Sequence, residues 1–136
     1  MKTFFDTSTL IASLVANEAA HPAADAAFCA AKHRVASAHS IAECFAQLTG
    51  KLRFAPADAA RLIRDGLPDM HWHVLPAADV LAVTAGASAL GVRGGLIYDA
   101  LIVATARHAK AGLILTGNRA HFLQCAPDLA DIIREP

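Results

Sequence analysis

At 136 residues the chain has the length of one domain and can bury roughly two-thirds of its unfolded surface around a single core. Hydrophobic residues make up 55% and charged residues 18%, which argues against a disordered chain and for a packed, alanine-rich, helical protein. Lys plus Arg and Asp plus Glu balance at 12 each, so no global basic field draws in nucleic acid and any polyanion binding has to be local.

Lys2 to Phe5 is short, apolar and aromatic, and the Asp-Thr-Ser-Thr cluster after it suits a helix cap, so a strand runs into a helix with Asp6 at the strand's carboxyl end. His21-Pro22 is expected to break that helix, followed by another over Ala23 to Lys32 and a strand at Arg34 to Ser37. Ser40 starts the next helix, with Ile41, Phe45, Leu48 and Leu52 at helical spacing, and Pro56 to about Arg64 forms one more. Trp72 to Leu75 reads as a strand between Pro68 and Pro76, and Asp79 as the cap of a helix through about Leu90. After the Gly91–Gly95 loop, Ile97 to Ala109 is helical, with Lys110-Ala111-Gly112 supplying a cationic, glycine-terminated end. Leu113 to Thr116 is an apolar strand, Gly117-Asn118 a turn, and Ile132-Ile133 a last edge strand. Short strands alternating with helices imply right-handed crossovers and a parallel sheet covered on both faces, a three-layer α/β/α domain.

Cys29, Cys44 and Cys125 are far apart, odd in number and form no C-x-x-C pair, which speaks against a zinc site or a disulfide framework. The amino-terminal stretch meets Asp6 before an apolar region of signal-peptide length develops, and no run reaches the roughly 18 apolar residues of a membrane span. A reducing, cytoplasmic location without membrane contact is expected.

Asp6, Glu43 and Asp99 each interrupt an apolar stretch, and no basic residue adjoins any of them. A carboxylate beside a core is costly unless it is paired, caps a helix or holds a metal. Ligands of open parallel sheets bind outside the carboxyl ends of the strands, where Asp6 and Thr116-Gly117-Asn118 are expected. Glu43 and Asp99 fall in what read as first turns of helices starting at that rim, so the segments can meet in one pocket. An oxygen-only donor set points to Mg²⁺ or Mn²⁺. Each acid also has a purely structural reading: Asp6 as a helix cap, Ser40-x-x-Glu43 as a capping box, and Asp99 as a partner of the helix dipole. Asn118 is equally readable as a turn residue, His71-x-His73 as surface histidines, and His121 either as a packing residue or as one that touches substrate.

With these residues in view, the sequence resembles the PIN-domain nucleases, and among them the VapC-type toxins of toxin–antitoxin pairs. Four segments carry the likeness in order: Phe5-Asp6-Thr7-Ser8, Ser40-Ile41-Ala42-Glu43, Tyr98 to Ala106, and Leu115 to Phe122. The resemblance implies a single PIN-like domain over residues 1–136 that cleaves RNA to leave a 5′-phosphate and is neutralised by a small antitoxin protein. It further implies that Asp6 and Asp99 bind the metal, that Glu43 is a ligand or orients water, and that Thr116 and Asn118 position water or phosphate. Where many members carry a further aspartate, this chain has Asn118 and His121. Arg93, Arg119, Lys51 and Arg53 are candidates to meet the RNA backbone. The apolar hairpin from Ile41 to Ile63 suits an antitoxin groove or a homodimer face, with core packing as the other reading. Two rival functions stand beside this one. A haloacid-dehalogenase-type phosphatase wants a second aspartate where Ser8 stands. A catalytically weakened PIN-like module would bind RNA or protein without cleaving.

Overall fold

Alternation along the first strand, β1 (Lys2–Phe5), organises the molecule, because Phe4 and Phe5 point to opposite faces and both are fully buried. The computed structural model describes residues 1–136. After β1 come α1 (Thr7–Leu14), α2 (His21–Ala30), β2 (His33–Ser37), α3 (His39–Thr49), α4 (Pro56–Gly66) and β3 (Met70–His73). The second half holds α5 (Ala77–Gly86), α6 (Leu96–His108), β4 (Leu113–Leu115), α7 (Arg119–Cys125) and β5 (Ile133–Arg134). All strand pairs are parallel, in the order β3-β2-β1-β4-β5.

One face of the sheet packs Phe4, Val35, Ile114 and Ile133 against the second-half helices, including Ala106 and Phe122. The other face packs Phe5, Ala36 and Leu115 against α1 to α4 through Leu10, Phe28, Cys44, Leu48 and Ile63. Helices on both faces of an all-parallel sheet make the three-layer α/β/α arrangement expected from the alternation of elements. The chain winds from β1 outward to β3, then returns to β4 on the other side of β1. The switch point of the topology therefore lies at the carboxyl ends of β1 and β4, beside Asp6 and Thr116.

Several boundaries differ from the sequence expectation. His21 and Pro22 do not break α1, which ends at Leu14; they open α2, where a first-turn proline has no N–H partner to lose. Strand β3 spans Met70 to His73 rather than Trp72 to Leu75, because Arg34 pairs with Met70 and Ser37 with His73, leaving Val74 exposed. Pro76, not Asp79, occupies the cap of α5, and α5 ends at Gly86 before a separate 3₁₀ turn at Ser88–Leu90. Helix α3 begins at His39 and buries Ser40, Cys44 and Leu48, so Ile41 and Phe45 point outward at 38% exposure each. Helix α7 was not expected, since its seven residues are too few to show a helical period.

Candidate metal centre

Asp6 is 3% exposed and holds the cap position of α1 in extended backbone conformation, with its Oδ1 accepting from the Thr7 amide at 2.8 Å. Its Oδ2 accepts from the Ser8 and Thr116 hydroxyls, each at 2.8 Å. The capping reading of Asp6 is thus correct, and Oδ2 is additionally fixed across the sheet by the residue that follows β4. The Thr116 hydroxyl in turn accepts from the Asn118 amide at 2.9 Å, and the Ser8 hydroxyl from the Gly117 amide at 2.9 Å. Gly117 lies so close that a Cβ there would meet Ser8 Oγ at 3.3 Å, so glycine lets the β4–α7 turn close onto α1. Thr7 donates to the buried Ser40 hydroxyl at 2.9 Å, tying α1 to the start of α3. Ser40 is therefore not the cap of a capping box: that position is Ala38, with no side-chain cap.

Glu43 falls just past the first turn of α3 rather than within it, and its side chain is 31% exposed. Its Oε1 is nevertheless buried without a hydrogen-bond partner, and His39 Nε2 at 3.7 Å is the nearest basic atom paired with it. Asp99 sits in the first turn of α6, half-buried, with His121 Nδ1 of α7 at 3.3 Å from its Oδ2. Burial pushes the Asp6 carboxyl above its ordinary pKa against the pull of its three hydrogen bonds, and Asp99 adds to the rise. Burial also raises Glu43, with Asp6 and Asp99 adding and with His39 and a contact to the Thr7 hydroxyl opposing. The three acids thus share one electrostatic neighbourhood, with the His39 and His121 imidazoles as the basic groups beside them.

The chemistry of this set fits a hard cation. All donors are oxygens, one buried carboxylate oxygen lacks any partner, and the acids repel one another. Asp6, Glu43 and Asp99 are the residues that would hold it. They do not form a closed cage, for no three His, Cys, Asp or Glu side chains stand close enough to hold an ion as they are. The expected ready-made pocket of converging carboxylates is corrected accordingly. Mg²⁺ retains several waters and uses one or two carboxylates plus substrate phosphates, so a loose set suits it better than a tight one.

Thr116 is fully buried, with its hydroxyl donating to Asp6 Oδ2 and accepting from the Asn118 amide. Asn118 is exposed at the head of α7, and its side chain makes no capping bond. Arg93 is exposed in the loop before α6, where Gly94 takes a φ of 58°. Arg119 opens α7, and its Nε donates to the Ile133 carbonyl at 3.1 Å. Lys51 and Arg53 lie beyond the far end of α3, which itself runs about 9 Å past Glu43, so the fold does not bring them to the acids. Ser8, Gly117, His39 and His121 lie around these residues; sequence reasoning placed the Gly117 turn at the rim and weighed His121, but gave Ser8 and His39 no role there. The Thr-Ser after Asp6 and the His39/Glu43 spacing of one helical turn were the signals available for Ser8 and His39.

An all-parallel α/β domain with a buried Asp6 at its topological switch point, and two half-buried acids on the helices beside it, has the form of the class of open α/β sheets that take ligands at the carboxyl ends of their strands. Within that class, residues 3–126 match the PIN domain, and the chain belongs to the PIN domain family. PIN domains are typically metal-dependent nucleases. No curated protein matches the chain.

Proposed function

We propose that the chain is a divalent-metal-dependent endoribonuclease, the toxin of a VapC-type toxin–antitoxin pair, acting in the cytoplasm. The observation that carries the metal-dependent chemistry is the partnerless buried Oε1 of Glu43 beside Asp6 and Asp99, inside a domain of a nuclease family. Bound Mg²⁺ or Mn²⁺ would acidify water and neutralise charge on the phosphate oxygens. Asp6 is held rigid for this task by Thr7, Ser8 and Thr116, so the one lone pair left on Oδ1 points in a fixed direction. Glu43 Oε1 would face the cation or orient the attacking water, whose proton passes to solvent. As the water oxygen bonds to phosphorus, the P–O3′ bond breaks, the 3′-hydroxyl leaves with a proton from solvent, and the other fragment keeps a 5′-phosphate. Arg93 and Arg119 flank the rim and suit contacts to the RNA backbone, which with zero net charge should be modest and salt-sensitive.

The toxin assignment draws support from the outer face of α3 and α4, where Ile41, Phe45, Ile63 and Trp72 line an open groove of about 790 Å³. Such a face suits an apolar helix of an antitoxin or a second copy of the chain, giving a homodimer. Three free cysteines suit a reducing compartment, and no helix is long and apolar enough to cross a membrane. The second reading, a PIN-like module that binds RNA or protein without cleaving, is favoured by the open acid set and by the neutral Asn118.

Thermal melting with Mn²⁺ separates the two. Wild type should gain stability with Mn²⁺ in a concentration-dependent way, and Asp99→Asn should lose most of that gain. A wild-type protein indifferent to Mn²⁺ would refute the nuclease reading and leave the binding module.

A further inference from the structure

Next to the acids, at the carboxyl ends of β2 and β3, the surface sinks into a half-enclosed cavity of about 270 Å³ whose walls include Ser37, His39, His73, Val74, Tyr98 and Leu101. Two helices bind this cavity to the acid site. His39 opens α3 and stands 3.7 Å from Glu43 Oε1, while Tyr98 immediately precedes Asp99 on α6. The cavity therefore lies beside the acids.

The lining indicates which part of a nucleotide would enter. No Lys or Arg is among the cavity residues, so a phosphate has no counter-charge there. Apolar walls carry instead a few groups able to hydrogen-bond. Ser37 Oγ accepts from the His39 amide at 3.2 Å and keeps its own proton to donate. His73 Nε2 shares a hydrogen bond with His108 Nδ1 at 2.7 Å, which fixes its ring at the cavity wall. Tyr98 and Val74 are 61% and 71% exposed, apolar surface without cover on either side of the opening. A flat, uncharged ring with polar edges satisfies both kinds of surface, and the volume lies just below the range that takes drug-sized ligands.

We propose that this cavity is a nucleobase subsite, which takes one unstacked base of single-stranded RNA beside the phosphate at the acids. Tyr98 stacks on the base, and Ser37 and His39 meet its edge. The assignment rests on RNA being the substrate, and it makes Tyr98 and His39 determinants of where the strand is cut.

The test uses short oligouridylates carrying one 2-aminopurine at each position in turn, titrated into the protein in EDTA and followed by fluorescence. At one position the wild type should quench the probe saturably. Tyr98→Phe should match it, and Tyr98→Ala should bind about tenfold or more weakly at unchanged molecular mass and fold. Wild type that quenches at no position, or Tyr98→Ala that binds as wild type does, overturns the subsite. A Tyr98→Ala variant that binds weakly only because its mass in solution has changed also overturns it, and makes the face a contact between copies. Cleavage with Mn²⁺ separates this proposal from the nuclease reading. If the wild type cleaves and Tyr98→Ala keeps its KM and cut sites, the subsite fails and the nuclease stands. If the wild type quenches the probe yet cleaves nothing, the nuclease fails and the base site stands.

Discussion

Thr116→Val isolates the bond that locks Asp6. The valine keeps nearly the same shape in a fully enclosed position but removes the hydroxyl that donates to Asp6 Oδ2 and accepts from the Asn118 amide. A hydrogen bond to a charged group is worth about 1.5–3 kcal/mol. At about 2.1 cal/mol/K per residue, the unfolding entropy of 136 residues is about 0.29 kcal/mol/K, so melting should fall by about 5–10 °C. Thr116→Ser keeps the hydroxyl and loses only a methyl, costing about 1 kcal/mol, or about 3–4 °C. RNA cleavage should drop about 10–100-fold in the valine variant, as for outer partners of metal ligands, and stay close to wild type in the serine variant. Calorimetry and cleavage kinetics on the pair read both effects. A valine variant that melts and cleaves no worse than the serine variant would refute the idea that this hydroxyl orients Asp6.

Gly117→Ala should push Ser8 Oγ away from its 3.3 Å approach and break its bond from the Gly117 amide, costing about 0.5–1.5 kcal/mol by denaturant melting; an unchanged midpoint would contradict that contact. Phe122→Ala empties a fully buried site between α7 and the sheet and should cost about 3–5 kcal/mol, measured the same way, with less than 1 kcal/mol contradicting the packing of α7. His73 is held below the ordinary histidine pKa by burial first and then by His108, His71 and Lys2. Because its folded pKa lies below its unfolded value, the stability it contributes is full above about pH 6.5 and is lost as pH falls through the folded pKa. An NMR titration should place its midpoint below 6.5; a midpoint at or above that value would contradict the burial of His73 and its packing against His108.

Much of this architecture was legible because it is local. Short runs ending in apolar residues and closed by Asp6 or by Thr116-Gly117 announce strands whose ends carry chemistry, and topology alone brings those ends together. What sequence could not supply is pairing between distant segments. The Thr7–Ser40 and Ser8–Gly117 hydrogen bonds join residues far apart in the chain, and no local pattern encodes them. Ser40-x-x-Glu43 matched a capping box, yet the Thr7 bond draws Ser40 into the core and moves the helix start to His39. Ile41 and Phe45 kept helical spacing but took the outer face, because the inner face of α3 is the stripe Ser40, Cys44 and Leu48. The β3 error has the same origin: Val74-Leu75 are as apolar as a strand, and only register with β2 decides where pairing stops.

The most direct test of the central claim is cleavage of a labelled single-stranded RNA by the purified chain, in Mn²⁺ and in EDTA, with Asp6→Asn run alongside and its fold checked by circular dichroism. Cleavage in Mn²⁺ alone, giving 5′-phosphate ends and reduced more than about a hundredfold by Asp6→Asn, is the predicted result. Equal cleavage in EDTA, or full activity in a folded Asp6→Asn protein, would contradict a metal-dependent nuclease built on these acids.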